Sequence, residues 1–206
     1  MAVVRNKEKV CAKCGKGSEQ LELLGASYSS ECGLDTRPSI ETRKDFSYDV
    51  QICPHCGYSY VDISEQYDQP LSKEYLSIQK DENIDPTSKK LLLSYIVAFN
   101  KREYDLAFEL LLKASWTLED SGDPFYRNVM EMLSAQLEQY LKQNPDADTE
   151  IVLIDIQRRL GHFESAKEHI KSIGVTENDT ANKLLAHQTC LINQADTLHH
   201  FMTEVV

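Results

Sequence analysis

Two short cysteine motifs constrain this chain more than anything else in it. The first reads Cys11-Ala12-Lys13-Cys14-Gly15 and the second Cys53-Pro54-His55-Cys56-Gly57-Tyr58, with 38 residues between Cys14 and Cys53. Each is a C-x-x-C pair followed by glycine. A C-x-x-C turn points two sulfurs the same way, and the glycine lets the chain bend back so that backbone N–H groups face them. Two such turns supply four thiolates, the number a closed tetrahedral zinc site needs. The pattern therefore predicts one structural Zn²⁺ held by Cys11, Cys14, Cys53 and Cys56. The rival is a redox dithiol, whose nucleophile sits at a helix N-terminus within a βαβ pattern. No such pattern surrounds either pair, and redox chemistry has no use for two matched turns.

The segments around the pairs read as short strands. Tyr48-Asp49-Val50-Gln51-Ile52 alternates apolar with polar, as a half-buried strand does. Tyr58-Ser59-Tyr60-Val61-Asp62-Ile63 alternates less regularly and is a suitable partner, with the second cysteine pair as the turn between them. Gln20 to Ser29 mixes Leu, Tyr and Ser without helical spacing. This is the layout of a zinc ribbon, in which antiparallel strands meet at metal-holding turns. So small a sheet buries too little apolar surface to stand alone, so metal binding is expected to supply much of its folding energy.

Between the pairs lies Cys32-Gly33-Leu34-Asp35-Thr36-Arg37-Pro38, followed by Glu41, Arg43 and Asp45. One reading is an ion-pair cluster that anchors the ribbon to the helical part. The other is a recognition loop in which Asp35, Arg37 and Arg43 meet an anion or a partner's carboxylate. Cys32 lacks a C-x-x-C partner and is the weakest candidate ligand. His55, inside the second turn, is expected to point away from a metal held by its flanking cysteines.

The stretch Leu34-Asp35-Thr36-Arg37-Pro38, then Arg43, then Val50-Gln51-Ile52-Cys53-Pro54-His55-Cys56-Gly57-Tyr58 resembles an uncharacterised bacterial family of domain-of-unknown-function proteins. Their N-terminal part carries a C-x-x-C, a basic-acidic loop and a C-P-x-C-G-Y, and tetratricopeptide-like helices follow. The resemblance covers about 60 residues well. It implies zinc at Cys11, Cys14, Cys53 and Cys56, and it implies no activity.

From Glu65 to Pro86 the chain is polar, interrupted by Pro70 and Pro86, and reads as a linker with one short helix near Lys73–Gln79. Beyond Pro86 the period is helical. Thr87 is a candidate cap for a helix running to about Lys101. Tyr104, Ala107, Phe108, Leu111, Ala114 and Leu118 share one helical face. Asp123-Pro124 reads as a cap followed by proline at the first helical position. The next stripe runs from Tyr126 through Leu141. Thr149 opens a helix ending at Gly161, Phe163 to Ile173 forms another, and a last helix from about Asp179 carries Leu184, Leu191, Ala195, Leu198 and Met202.

Two segments, Tyr104-Asp105-Leu106-Ala107 and Leu160-Gly161-His162-Phe163-Glu164-Ser165-Ala166, resemble the second half of a tetratricopeptide repeat. Their aromatic residues Tyr104 and Phe163 lie 59 residues apart, against a usual period of about 34. The expected fold is α+β, mainly α. A small zinc-ribbon β element spans 1–65, a linker 66–86, and a helical bundle or degenerate tetratricopeptide-like stack 87–206.

Charge limits the functions. The chain of 206 residues has a formal net charge of −11. Residues 1–60 carry eight Lys/Arg and eight Asp/Glu, and residues 61–206 carry 14 and 25. Nucleic-acid binding rests on a positive surface that displaces counterions. Here it would have to use Lys7, Lys9, Lys13 and Lys16 with Arg37 and Arg43, a small patch beside an acidic body. The longest mainly apolar run, Leu91 to Phe99, is about half a membrane span, and the charged N-terminus lacks a signal-peptide core. A cytoplasmic protein without membrane association is expected. No G-x-S-x-G, phosphate-binding glycine loop or H-E-x-x-H occurs, and four cysteines leave no open position on a metal. The sequence thus predicts a non-enzymatic zinc-binding scaffold whose partner is a protein with a basic segment. The alternatives are a ribbon associated with nucleic acid and a thiol or zinc stress sensor using Cys32. His187 and Cys190 share a helix face, but His199 and His200 lie turns away on an extended last helix, so no second metal site is expected there. Trp116 reads as a packing residue.

Overall fold

The computed structural model describes residues 3–26 and 31–205. It is α+β and mainly helical, with two small antiparallel sheets near the N-terminus. Its contacts divide the chain differently from the three segments read in the sequence. One compact unit contains described residues 3–26 and 40–126, and the other contains 31–39 and 127–205.

In the first unit, β1 (Val3–Val10) pairs antiparallel with β2 (Gly17–Gly25), in a register that sets Val10 opposite Gly17 and Lys7 opposite Gln20. Both strands are largely exposed. A short helix α1 (Ile40–Arg43) and a 3-10 turn (Lys44–Tyr48) lead into β3 (Gln51–Ile52), which pairs with β4 (Ser59–Tyr60). The strand pair expected around the second cysteine motif is thus present, but only two residues long on each side. Such a stub is held by its surroundings. Tyr58, Ser59 and Tyr60 are fully buried, and helix α3 (Pro86–Lys101) packs on β4. Ser59 Oγ lies 3.0 Å from Ser94 Oγ and donates to the Gln51 carbonyl at 2.9 Å.

The stretch read as a linker is packed. Helix α2 (Lys73–Lys80) is capped by Ser72 and buries Tyr75 and Ile78, while Tyr67 and Ile84 are also buried. Four apolar side chains scattered through a polar segment give no periodic signal, and yet each fills a place in the core. Helix α3 starts two residues earlier than Thr87 suggested. Asp85 accepts from the Ser88 N–H and Pro86 takes the first helical position, the combination that satisfies the orphan donors best. Helix α4 (Tyr104–Ser121) packs against α3 and buries Ala107, Leu111, Ala114 and Leu118 as expected. Tyr104 is instead exposed, edge-on to Phe99. Trp116 is buried against Phe46, a packing role.

The second unit contains most of α5 (Tyr126–Leu141), then α6 (Ala147–Leu160), α7 (Phe163–Ile173) and α8 (Asp179–Asn193). Asp146 rather than Thr149 caps α6, accepting from the Thr149 N–H, and Gly161 ends it in the left-handed conformation. Ile151, Ile154, Ala166, Ala181, Leu185 and Ile192 form a core between α6, α7 and α8. Ala166 is fully buried. The last helix is shorter than expected. It stops at Asn193, Ala195 sits at φ 53°, and the chain turns back. The amide of Asp196 donates to the Leu191 carbonyl across this turn. Leu198 is consequently exposed, and Met202 begins a 3-10 turn instead of extending a helical stripe. Among the described residues no helix is long and apolar enough to cross a membrane.

Candidate metal centre

The two cysteine turns are built alike. In the first, the Cys11 N–H donates to the Lys16 carbonyl at 3.0 Å and the Gly15 N–H to the Cys11 carbonyl at 2.8 Å. In the second, Cys53 N–H donates to the Tyr58 carbonyl and Gly57 N–H to the Cys53 carbonyl, both at 2.8 Å. Gly15 and Gly57 have φ of 69° and 71°, a region that costs an L side chain roughly 1 kcal/mol or more. The glycine after each pair is therefore what closes the turn. The Lys13 N–H lies 3.4 Å from Cys11 Sγ, an amide turned on the sulfur.

The turns converge crosswise. Cys11 Sγ lies 3.7 Å from Cys56 Sγ, and Cys14 Sγ lies 3.6 Å from Cys53 Sγ. All four sulfurs lie within 4.8 Å of one another. Disulfide sulfurs sit about 2.05 Å apart, and the described cysteines are all free thiols. A tetrahedron with ~2.3 Å metal–sulfur bonds has an edge of about 3.8 Å. The four thiols thus fit a metal ion, and their spacing fits no bond among themselves. Cys11 and Cys53 are fully buried and the other two partly so.

The electrostatics carry the same implication. Burial pushes the Cys11 thiol up, and burial with the neighbouring sulfurs pushes Cys56 up to about 12. At Cys53 burial is outweighed by the N–H groups of His55 and Cys56 and by neighbouring thiols, which bring the group down. Four clustered sulfurs resist ionising together unless a cation sits among them, and a coordinated cation deprotonates thiols outright.

The neighbouring residues lock the two turns onto one scaffold. The Ala12 N–H donates to the Ile63 carbonyl at 2.8 Å, and Gln20 Nε2 donates to the Ile52 carbonyl at 3.1 Å. His55 is exposed, its Nε2 3.1 Å from the Gly17 carbonyl. Cys32 belongs to the other unit. Its thiol faces the Gly33 carbonyl at 3.3 Å, and burial together with Asp35 pushes it up.

The candidate recognition residues fall in different units, Asp35 and Arg37 in one and Arg43 in the other. Asp35 is 1% exposed and accepts from Arg159 Nη1 at 2.8 Å and from the Arg37 N–H at 3.1 Å. Burial opposes its ionisation, but His199, Arg159 and Arg37 prevail and hold it at about 2. Arg37 is 6% exposed. Arg43 forms a two-point pair with Asp120 on α4, 2.6 Å from Nε and 2.7 Å from Nη2. A recognition surface needs exposed guanidinium groups, and these are buried. The ion-pair reading describes Arg43, which ties α1 to α4 within the first unit.

Several basic side chains near the first pair are engaged within the protein. Arg5, Lys7 and Lys9 converge on Glu22, and Lys9 also pairs with Asp62. Lys13 lies over the Tyr67 ring, 4.5 Å from its centre.

No protein-family model, curated protein or solved structure matches the chain. The likeness to the uncharacterised bacterial family therefore rests on the motif residues themselves.

Proposed function

We propose that the cation is a single structural zinc, and that the chain is a non-enzymatic protein-interaction scaffold in which a metal-held ribbon is joined to a helical part. The observation that supports the zinc is the meeting of two matched C-x-x-C-G turns with their sulfurs at tetrahedral spacing. Four thiolates make a closed zinc site, which leaves no position for substrate or activated water. The acidic balance of residues 61–206 supports a basic segment as the partner's contact. Glu22 and Asp62 pair with the basic side chains of β1 and offset part of their charge, so nucleic acid is the weaker reading.

Metal analysis of the full chain, purified without added metal, tests the first half. One zinc per chain at the cysteines, with four thiols becoming reactive together when a chelator removes it, is the expected result. Fewer than four protected thiols would overturn the closed site. For the scaffold half, capture of a basic partner is expected to weaken as salt rises, and salt-independent capture would remove the electrostatic argument.

A further inference from the structure

The reversal of the chain after α8 brings together residues that an unbroken helix would separate. Thirteen residues of helix would put His187 and His200 about 20 Å apart. Instead their rings lie 5.9 Å apart, centre to centre, at 79°. Glu204, on the terminal 3-10 turn, joins them. The ligand atoms of His187, His200 and Glu204 all lie within 4.8 Å of one another.

We propose that His187, His200 and Glu204 form a second divalent metal site, of the zinc class, independent of the cysteine centre. Two imidazoles and a carboxylate suit zinc and its borderline neighbours. Three protein ligands leave one tetrahedral position for water or an exogenous ligand.

The surroundings hold each donor in place. His187 Nε2 is shielded from solvent with no hydrogen-bond partner among the described residues, an unusual state for a polar ring atom in a native fold. Glu204 has one oxygen, Oε1, fixed by the Phe201 N–H at 2.8 Å, while Oε2 sits 2.7 Å from His200 Nδ1. The other nitrogen of His200, Nε2, lies 3.2 Å from Asp196 Oδ2. A carboxylate on the far nitrogen of a ligating histidine fixes its tautomer and raises its basicity. Asp196 is itself held by the Leu198 N–H at 2.7 Å, and its carbonyl accepts from Arg158 Nη1 at 2.8 Å. Arg158 is fully buried and bonded to Asp155 and to Gln188, the residue next to His187. One rigid network therefore positions both ends of the site. The alternative is that His200 only bridges Asp196 and Glu204 as an ion-paired histidine.

The test is zinc titration of the tag-free full chain, with metal content measured after each addition. Two zinc per chain are expected at saturation. His187→Ala and Glu204→Gln should each remove one of them and leave the cysteine-bound zinc and its thiol protection intact. Cys53→Ser should remove the other. Asp196→Asn should weaken the second site by roughly ten- to a hundredfold. Cobalt distinguishes the sites directly, because only the cysteine site gives thiolate-to-metal charge-transfer absorption. Saturation at one metal ion per chain with the charge-transfer band present would overturn the proposal, as would a second zinc retained unweakened in Glu204→Gln. Glu204 is exposed, so that variant folds even if His187→Ala does not. Failure of the cysteine site alone would show as loss of the charge-transfer band with the second equivalent retained.

Discussion

The two cysteine turns share a backbone and differ in almost everything around it. The first joins β1 and β2, strands exposed along most of their length, and the residue that closes it, Lys16, is exposed. The second joins two-residue strands, and the equivalent residue, Tyr58, is fully buried and stacked on Tyr67. Helix α2 reaches over the second turn. The Tyr75 hydroxyl donates to the Gly57 carbonyl and accepts from the Ser59 N–H, and Gln79 Nε2 donates to the Cys56 carbonyl at 2.8 Å. One turn is thus enclosed by packing, and the other, with far less protein around it, is expected to depend more on the proposed metal. The proposed site is therefore expected to be asymmetric, with a prebuilt half offering two sulfurs and binding recruiting the other half.

Metal removal breaks the comparison open and has the largest expected effect. Binding free energies of structural zinc, on the order of 10 kcal/mol, set the ceiling. With metal removed, the amides of Cys11 and Gly15 should lose hydrogen-exchange protection by about a hundredfold more than those of Cys53 and Gly57, equivalent to roughly 3 kcal/mol of local opening. Acid should act in the same direction. Each ligand must be a thiolate, so affinity falls as pH falls and protons displace the metal. Equal loss of protection in both turns would show that packing orders neither.

Tyr75→Phe sharpens the comparison from the other side. Among the described residues only the second turn has such a hydroxyl. Its loss leaves the buried Ser59 N–H without a partner, which costs about 2 kcal/mol. Chemical denaturation of the metal-loaded chain should show that loss, with zinc stoichiometry still one at the cysteines. Stability within a few tenths of wild type would mean that water replaces the hydroxyl and that the second turn is less enclosed than its burial implies.

The same contrast explains what could be read from the sequence. The turns were legible because C-x-x-C-G states its geometry locally. The strands around the second turn were legible because Val50 and Ile52 alternate with polar residues. β1 was not, because Val3 to Val10 is exposed on nearly every residue and so carries no apolar period. The packing of Tyr67, Tyr75 and Ile84 was hidden in a polar segment that reads as a linker. Helical stripes placed α4 to α8 well. The end of α8 was lost because Ala195 gives no warning that it adopts a positive φ. With it went the approach of His200 to His187, a contact made by a turn and not by spacing.

The smallest effects come from the two glycines, and they test the comparison residue against residue. Gly15→Ala and Gly57→Ala both force a side chain into the left-handed region, at a cost of about 1 kcal/mol each. At Gly15 the new methyl group meets nothing within 4 Å. At Gly57 it falls 1.8 Å from Gln79 Nε2. Gln79 has a flexible side chain and swings away, but its hydrogen bond to the Cys56 carbonyl goes with it, adding about 1 kcal/mol. Gly57→Ala is therefore expected to be about twice as damaging in thermal denaturation of the metal-loaded chain. In the Gln79→Ala background the two glycine substitutions should become equivalent, because the contact that distinguishes them is gone. If they remain unequal there, the difference between the turns lies in the metal's own geometry and not in the helix laid across one of them.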